Sequence, residues 1–366
     1  MSNPQLALQF CLQLAIILIA CRAFGSLMQR VGQPRVIGEM IAGIVLGPSV
    51  LGLFAPAAQA MLFPPASLGV LSAVSHIGLV LYMFVVGTHL HTSFIRQAFR
   101  GAMLISLTGV VAPFLLGAGL ASFLYADGRF FTSNVSSWQS MIYLGAAMSV
   151  TAFPVLARII HERGIGGTAL GTLALAAGAV DDIIAWSMLG IVLVSLDRGF
   201  GIVRFIASHA VFMAFVIGAL MPRGTLTREL SRRIEPVASL VLVPLFFAFS
   251  GLSTHLSLLW STELLWLSIG VILIASVGKA VGCWGAARLA GRPNREAMAI
   301  GALMNARGLM ELVILNIGLQ RGLITPTLFT VMVLMTLVTT MAAGPLFEWA
   351  WRESAEVPDG DRVAVR

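Results

Sequence analysis

The chain has 366 residues, of which 58% are hydrophobic and only 11% are charged, with a formal net charge of +7. Soluble globular domains carry about 25% charged residues, so this composition excludes an ordinary soluble enzyme and predicts a polytopic membrane protein. The three cysteines lie in apolar runs, at spacings that suit neither a metal site nor a disulfide framework. No G-x-G-x-x-G stretch follows a strand-like run, so the sequence indicates no attached nucleotide-binding domain.

Eleven apolar runs are long enough to cross a membrane, which takes roughly 17–25 residues. They predict an all-α membrane protein with transmembrane helices at about 5–24, 36–54, 68–87, 101–125, 139–160, 166–195, 203–221, 236–252, 263–288, 296–320 and 325–350. A short tail, residues 352–366, follows the last run.

The arginines predict how the chain crosses the membrane, because basic residues collect in cytoplasmic segments. With the N-terminus outside, seventeen arginines fall in inside segments and four in outside loops. We therefore expect a multi-pass protein of the inner (plasma) membrane, with its N-terminus outside and its C-terminal tail in the cytoplasm. The positive charge reflects this topology and contact with anionic lipid, and it does not indicate a nucleic-acid partner.

Two adjacent carboxylates, Asp181 and Asp182, interrupt the sixth run, GTLALAAGAVDDIIAWSMLGIVLVSL (171–196). Each costs roughly 2.5–3.5 kcal/mol at the centre of a membrane helix, so an interaction must offset that cost. Neighbouring side chains point about 100° apart on a helix, so the two carboxylates have different environments. We expect one to pair with a basic residue while the other faces a water-filled cavity and binds an ion. The alternative is a static ion network that fixes helix packing.

Lys279 is the only lysine in the chain, and it stands in the ninth run, LWLSIGVILIASVGKAVGCWGAARL (265–289). Its distance from Arg288 is about 13 Å along a helix, which is too far for the amine to reach the interface comfortably. An arginine is always charged, whereas a buried lysine can release its proton near neutral pH. We therefore predict that Lys279 titrates and lies opposite one of the aspartates; the alternative is a lysine that snorkels.

The fifth run contains SVTAFPVLARII (149–160), in which Ser149 and Thr151 precede Pro154. A proline removes one helical hydrogen bond, and broken membrane helices are tolerated only where they line a cavity or lie inside protein. The tenth run is also interrupted, by polar residues in MNARGLMELVILNIG (304–318), namely Asn305, Arg307 and Glu311. Arg307 and Glu311 have the i,i+4 spacing of an ion pair. Alternatively, this charged turn is simply a helix start at the inside face.

Runs four to six and runs nine to eleven repeat one order: a helix, an interrupted helix and another helix. The first set starts from the inside and the second from the outside, which makes an inverted repeat. Secondary transporters place their substrate site where two such interrupted helices cross. The sequence therefore predicts a transport site formed by the fifth and tenth runs beside the aspartates and Lys279.

Several motifs together resemble the cation:proton antiporter-2 superfamily, which includes Kef-type exchangers and bacterial sodium/proton antiporters. They are RVGQPRVIGEMIAGIVLGPSVLG (30–52), SVTAFPVLARII, GAVDDIIAW, HAVFMAFVIGALMP (209–222), VLVPLFFAFSGLSTHL (241–256), VGKAVG and GALMNARGLMELVILNIGL (301–319). The resemblance implies a sodium/proton antiporter-like fold that fills residues 1–366 as one membrane transport domain. It also implies an elevator motion of a core, about 101–195 and 263–350, against a dimerisation scaffold, about 5–87 and 203–252, in a homodimer.

The same resemblance implies the roles of individual residues. Asp182 is expected to carry the monovalent cation, Na⁺ or K⁺, and the proton, and Thr151 and Ser149 are expected at the same site. Asp181 is expected to pair with Lys279, an arrangement typical of electrogenic members. Pro154, Asn305, Arg307 and Glu311 are expected to shape the crossing. The transported ions are the expected ligands, with no cofactor.

Two departures from the family pattern stand out. GTHLHTSF (87–94) has Thr88, His89 and His91 where acidic residues are usual, so the histidines are candidates for pH sensing, although surface histidines are more often plain. The connection SLDRGFGIVRFIASH (195–209) is short enough that about two helices of the family's usual thirteen are missing. The alternative functions are therefore a non-transporting or regulatory relative and a cation leak.

Overall fold

The computed structural model describes residues 3–89, 99–165, 168–196, 210–222 and 224–352. Within these ranges the protein is almost entirely helical, with a single isolated β-bridge between Phe131 and Ile324. The helices in chain order are α1 (Asn3–Arg30), α2 (Arg35–Leu46), α3 (Leu51–Phe54), α4 (Pro56–Leu62), α5 (Pro65–His89), α6 (Phe99–Asp127), α7 (Ser137–Ser149), α8 (Phe153–Glu162), α9 (Ala169–Leu196), α10 (Ala210–Leu220), α11 (Thr225–Val237), α12 (Val243–Leu252), α13 (Thr262–Leu289), α14 (Asn294–Met304), α15 (Leu309–Gln320) and α16 (Pro326–Arg352).

Seven helical stretches in the described ranges are long and apolar enough to cross a membrane, which makes this an integral membrane protein. They are Pro4–Arg30, Arg35–Phe54, Pro65–Thr88, Arg100–Asp127, Thr225–Leu252, Thr262–Leu289 and Pro326–Trp351. The predicted fifth and tenth spans are each divided into two shorter helices, α7 with α8 and α14 with α15. The predicted total of eleven spans stays a prediction, and residues 197–209 and the tail after residue 352 lie outside the described ranges.

The start of the eighth predicted span is wrong. The apolar run begins at about 236, but helix α11 begins at Thr225 and continues through a π-helical segment, Ala238–Leu242, into α12. Hydropathy misses this first part because most of α11 is polar and exposed, with only Thr227 and Ser231 buried. The arginines of this region therefore lie on a helix and not in a loop.

Local sequence signals explain where two of the helices begin. Ser136 and Gln139 form a capping box at the start of α7, where the Ser136 backbone N–H donates to the Gln139 side chain at 2.9 Å. The Ser261 hydroxyl accepts from the Leu264 N–H at 3.2 Å and caps α13. Both caps satisfy backbone donors that a helix start leaves without partners.

The helices pack in two groups. Helices α1, α2, α5, α10 and α12 contact one another, and helices α6, α7, α9, α13, α14 and α16 contact one another. We call the first the scaffold group and the second the core group, after the predicted segments in which they lie. The division into two domains and their relative motion stay predictions. Glycines allow close approach within the first group. A Cβ at Gly43 would lie 2.1 Å from the Ala248 carbonyl oxygen, and one at Gly218 would lie 2.2 Å from that of Phe84.

A charged cluster joins the end of α6 to the start of α13. The Arg129 guanidinium, in the loop after α6, donates hydrogen bonds to the carboxylates of Asp127 and Glu263. These two carboxylates raise the pKa of Arg129 above its already high ordinary value, so the cluster stays charged at physiological pH. The cluster is exposed, and its contribution to stability is therefore small.

The structure describes only part of the segment 87–94 at the end of α5. The Thr88 hydroxyl donates to the Val85 carbonyl oxygen and lies 2.8 Å from the hydroxyl oxygen of Ser231 on α11. His91 lies outside the described residues, and the side chain of His89 is also outside what the structure describes. The pH-sensing role of these histidines stays a prediction.

Candidate functional site

The two interrupted helices cross at their breaks. Helix α7 ends at Ser149, residues 150–152 are not helical, and α8 begins at Phe153. Helix α14 ends at Met304 and α15 begins at Leu309 after a second break. The breaks touch, because the backbone N–H of residue 152 donates to the carbonyl oxygen of residue 306 at 3.0 Å. The crossing that the inverted repeat predicts is therefore present.

Two residues mark how the chain makes these breaks. Pro154 lies in the first turn of α8, where its missing N–H costs no intrahelical bond, and not inside a continuous kinked helix. Gly308 precedes α15 with φ 150°, a backbone conformation that residues with a Cβ rarely adopt. The proline thus starts a half-helix, and the glycine permits the second break.

Two buried cations cap the C-terminal end of α7. The Arg307 guanidinium donates to the carbonyl oxygens of Met148 at 2.7 Å and Ala147 at 3.4 Å. The Lys279 Nζ donates to the Ser149 carbonyl oxygen at 2.6 Å. The last carbonyl groups of a helix have no intrahelical partners and carry partial negative charge, so positive side chains stabilise this buried helix end.

Asp181 has a complete set of donors. Its carboxylate accepts from Lys279 Nζ at 2.6 Å, from the Thr151 hydroxyl at 2.7 Å and from the Ser106 hydroxyl at 2.5 Å. Asp181 and Lys279 are both fully buried. A buried ion pair is tolerated when further hydrogen bonds satisfy its remaining lone pairs, and this pair meets that condition.

Asp182 has a different environment although it is the next residue. Its side chain is 1% exposed, and neither carboxyl oxygen has a hydrogen-bond partner among the described residues. The backbone N–H of Phe153, in the first turn of α8, interacts with the carboxylate electrostatically but without hydrogen-bond geometry. An ionised carboxylate without partners is costly to bury, so this position favours either a bound proton or a bound cation.

A second ion pair lies at the start of α15. Arg307 Nη1 lies 3.5 Å from Glu311 Oε2, and both side chains are fully buried. This charged turn is therefore a helix start in the protein interior and not one at the inside face. With Asp181, Asp182 and Lys279, the described interior of this site holds three carboxylates and two basic groups. One negative charge is therefore left over, which a single monovalent cation or one proton would balance.

The structure places the remaining predicted site residues as follows. Thr151 contacts Asp181, and its hydroxyl also donates to the Met304 carbonyl oxygen at 2.9 Å. The Ser149 hydroxyl donates to Ala146 within its own helix, so Ser149 reaches the site through its carbonyl group and not through its hydroxyl. Asn305 is buried at the end of α14, and its side-chain oxygen has no hydrogen-bond partner among the described residues.

The sequence prediction missed Ser106. Hydroxyl groups in membrane helices commonly bond a carbonyl of their own helix, as Thr108 does with Leu104 at 2.8 Å, so a lone serine carries little signal. The described residues also contain no cluster of three or more His, Cys, Asp or Glu side chains that could hold a metal ion.

A family profile described as "Sodium/hydrogen exchanger, transmembrane" matches residues 14–207 and 190–353, which is most of the chain. The chain belongs to this exchanger family. The resemblance that the motifs suggest is therefore confirmed. The two matches overlap at residues 190–207, which include most of the short connection, 195–209, from which the sequence predicts that helices are missing.

The curated relatives of this exchanger-family chain include proteins that are named as cation/proton antiporters. It is 38% identical to the Na(+)/H(+) antiporter NhaS4 of Synechocystis sp., over 90% of this chain and 94% of the relative. The aligned length of 389 residues exceeds the 366 of this chain, so the relative has residues that this chain lacks. The chain is 28% identical to the K(+)/H(+) antiporter 1 of Saccharomyces cerevisiae, over 98% of this chain and 47% of the relative.

A solved structure supports the fold. The sodium proton antiporter MjNhaP1 of Methanocaldococcus jannaschii matches with a TM-score of 0.58 over 93% of this chain and 96% of that chain. The identity is 12%, so this likeness concerns the fold alone. The predicted antiporter-like fold is confirmed by this match.

Proposed function

We propose that the chain is a monovalent cation/proton antiporter in which Asp182 binds the proton and the cation in turn. The observation that carries this proposal is the contrast between two neighbours. Asp181 is neutralised by Lys279 and accepts two hydroxyl donors, whereas Asp182 is buried without a hydrogen bond. Only a proton or a small cation can relieve the charge of Asp182 without rearranging its surroundings.

Coupling in this proposal runs through the Asp181–Lys279 pair. A cation that binds beside Asp182 also attracts Asp181 and competes with Lys279 for it. Lys279 then loses its counter-charge in a buried site and releases its proton, so each cation exchanges for more than one proton. An amine can take part in this step, whereas a guanidinium cannot.

The movement in this proposal is an elevator motion of the core group against the scaffold group, in a homodimer of the plasma membrane with a cytoplasmic C-terminus. The crossing helices, Arg307 and Lys279 form one hydrogen-bonded unit around the site. Such a unit can travel as a rigid body while the ion stays bound, which supports this choice of mechanism. The names of the Synechocystis and yeast relatives support sodium or potassium as the cation.

A second candidate is a relative that has lost transport or that leaks cations. The observation that favours it is the short connection between α9 and α10, where the two family matches overlap. An elevator needs its scaffold, so the loss of scaffold helices threatens coupled exchange.

Purified protein in proteoliposomes tests both candidates. Under an imposed pH gradient, Na⁺, K⁺ or Li⁺ should each be added in turn while a pH-sensitive dye reports the internal pH. The antiporter proposal predicts proton movement that requires one of these cations and saturates with its concentration. Cation flux without a pH gradient and without coupled proton movement would identify a leak, and no flux with any cation would identify a silent relative.

The substitution Lys279→Arg tests the proton step. We expect folded protein, because a positive charge remains beside Asp181, but either no exchange or exchange with a weaker response to membrane potential. The reason is that an arginine stays charged and cannot release a proton when the cation binds. The measurement compares Na⁺-driven proton flux with and without a potassium/valinomycin potential. If wild-type exchange ignores the potential, Lys279 is only a structural counter-charge.

A further inference from the structure

A cavity lies between the two packing groups, beside the half-helix α8. Its volume is about 230 Å³, and Arg35, Glu39 and Tyr82 line it from the scaffold group. Val155 lines it from α8, which packs against α9 and α14 of the core group, and the π-helical segment Ala238–Leu242 supplies Ser239. A cavity of this size has room for several water molecules or a hydrated cation, and it has charged and hydroxyl groups to hold them.

This cavity adjoins the surroundings of Asp182. Val155 is two residues beyond Phe153, whose backbone N–H faces the Asp182 carboxylate. The same half-helix thus directs its first backbone N–H toward Asp182 and contributes Val155 to the cavity wall. A Cβ at Gly178, one turn before Asp182, would lie 3.7 Å from the half-buried Phe153 ring. Phe153 therefore lies against α9, the helix that carries Asp182.

The cavity contains an ion pair that resembles the Asp181–Lys279 pair, because a largely buried carboxylate again lies beside a basic side chain. Arg35 Nε lies 3.3 Å from the Glu39 carboxylate, and the Glu39 side chain is only 7% exposed. Arg35 begins α2, directly after a turn that the arginine distribution predicts to be cytoplasmic. A largely buried carboxylate with a neighbouring cation can exchange that partner for a diffusing cation, as we propose for Asp181.

We propose that Glu39 is a second, transient cation site at the cytoplasmic entrance to Asp182, and that Arg35 competes with the cation for it. This inference rests on the proposed antiporter function. The Glu39 carboxylate binds a cation in the cavity, and the cation then moves on to Asp182. Arg35 limits how tightly Glu39 holds a cation, so that the ion moves on. A cation that replaces Arg35 at Glu39 is retained in the cavity, which raises the rate of its capture at Asp182.

Opposite substitutions in the pair test this proposal. In everted membrane vesicles, where the cytoplasmic face meets the bath, Na⁺ or K⁺ is titrated and proton flux is followed with a dye. Glu39→Gln should raise the KM for the cation about threefold to tenfold and leave the maximal rate within about twofold. Arg35→Gln should lower the KM, and Glu39→Asp should stay near the wild type. A residue that only supports packing would not shift KM in opposite directions in these variants.

Glu229→Gln is the matched control, because Glu229 is an exposed carboxylate of α11 that also pairs with an i,i+4 arginine but does not line the cavity. Its KM should equal that of the wild type. An unchanged KM in Glu39→Gln, or an equal shift in Glu229→Gln, would overturn the proposal. If Glu39→Gln does not fold, the direction of the Arg35→Gln shift decides.

If the wild type shows no coupled flux, the proposed function fails, and the second site is tested by binding. The measurement is then the shift in thermal midpoint that sodium causes in the wild type and in Glu39→Gln. Equal shifts in the two proteins would overturn the second site.

Discussion

Asp182→Asn should reduce cation-coupled proton flux to the level of protein-free vesicles. The amide has nearly the same shape as the carboxyl group but can neither bind a proton in exchange nor neutralise a cation. Because Asp182 has no hydrogen-bond partner among the described residues, the substitution breaks no hydrogen bond of the site. The protein should therefore fold, with a thermal midpoint equal to or above that of the wild type. Flux in proteoliposomes is the measurement.

A binding experiment on the same variant separates loss of the site from loss of movement. A ligand at 100 times its dissociation constant stabilises a folded protein by about 2.7 kcal/mol, so a bound cation should raise the thermal midpoint of the wild type. Asp182→Asn should lose this dependence on Na⁺ or K⁺. Asp127→Asn is the matched control, because Asp127 lies in the charged cluster with Arg129 and Glu263, away from the crossing. Retained cation-coupled flux in Asp182→Asn would refute the site assignment.

Asp181 and Lys279 should prove energetically coupled by roughly 1–3 kcal/mol in a double-mutant cycle. Lys279→Met and Asp181→Asn keep much of the side-chain volume and each remove one charge of the buried pair. Either single change leaves the other charge without its partner, which costs about 3–5 kcal/mol of unfolding free energy. The double variant should lose less than the sum of the singles, because it buries no unpaired charge. Denaturant unfolding in detergent micelles provides the measurement.

The ion pair of Arg163 and Glu348 provides the control cycle. These side chains contact each other but are 29% and 33% exposed, so Arg163→Met and Glu348→Gln should show a coupling of at most about 1 kcal/mol. A coupling as small as this for Asp181 and Lys279 would mean that their contact adds little to stability. Strict additivity would argue that the two residues do not meet in the native protein.

The membrane class and the charged residues of the candidate site could be predicted from the sequence, because both depend on the free-energy cost of placing single residues in an apolar environment. A charge in an apolar run is expensive wherever its partners come from, so Asp181, Asp182, Lys279, Arg307 and Glu311 are conspicuous without a structure. Polar and breaking residues likewise mark the two interrupted spans. The eighth span shows the limit of this reasoning, because its polar first half has no apolar run to reveal it.

The environments of the two aspartates were decided by the tertiary structure. The carboxylates are chemically identical neighbours, and the donors that distinguish them come from other helices. Asp181 receives Ser106 from α6, Thr151 from the first break and Lys279 from α13, whereas none of these side chains donates to Asp182. A hydroxyl in an apolar helix can bond its own backbone or a distant carboxylate, and the linear sequence is the same in both cases.

The chain by itself therefore determined that it spans a membrane, that it carries costly charges and where its helices break, because hydropathy, burial cost and proline or glycine geometry act over a few residues. Only the tertiary structure decided that Asp181 is neutralised while Asp182 is left without partners, and that Arg307 caps α7 across the crossing. These outcomes depend on distances between segments far apart in the chain. Packing of whole helices sets those distances, and no local pattern encodes them.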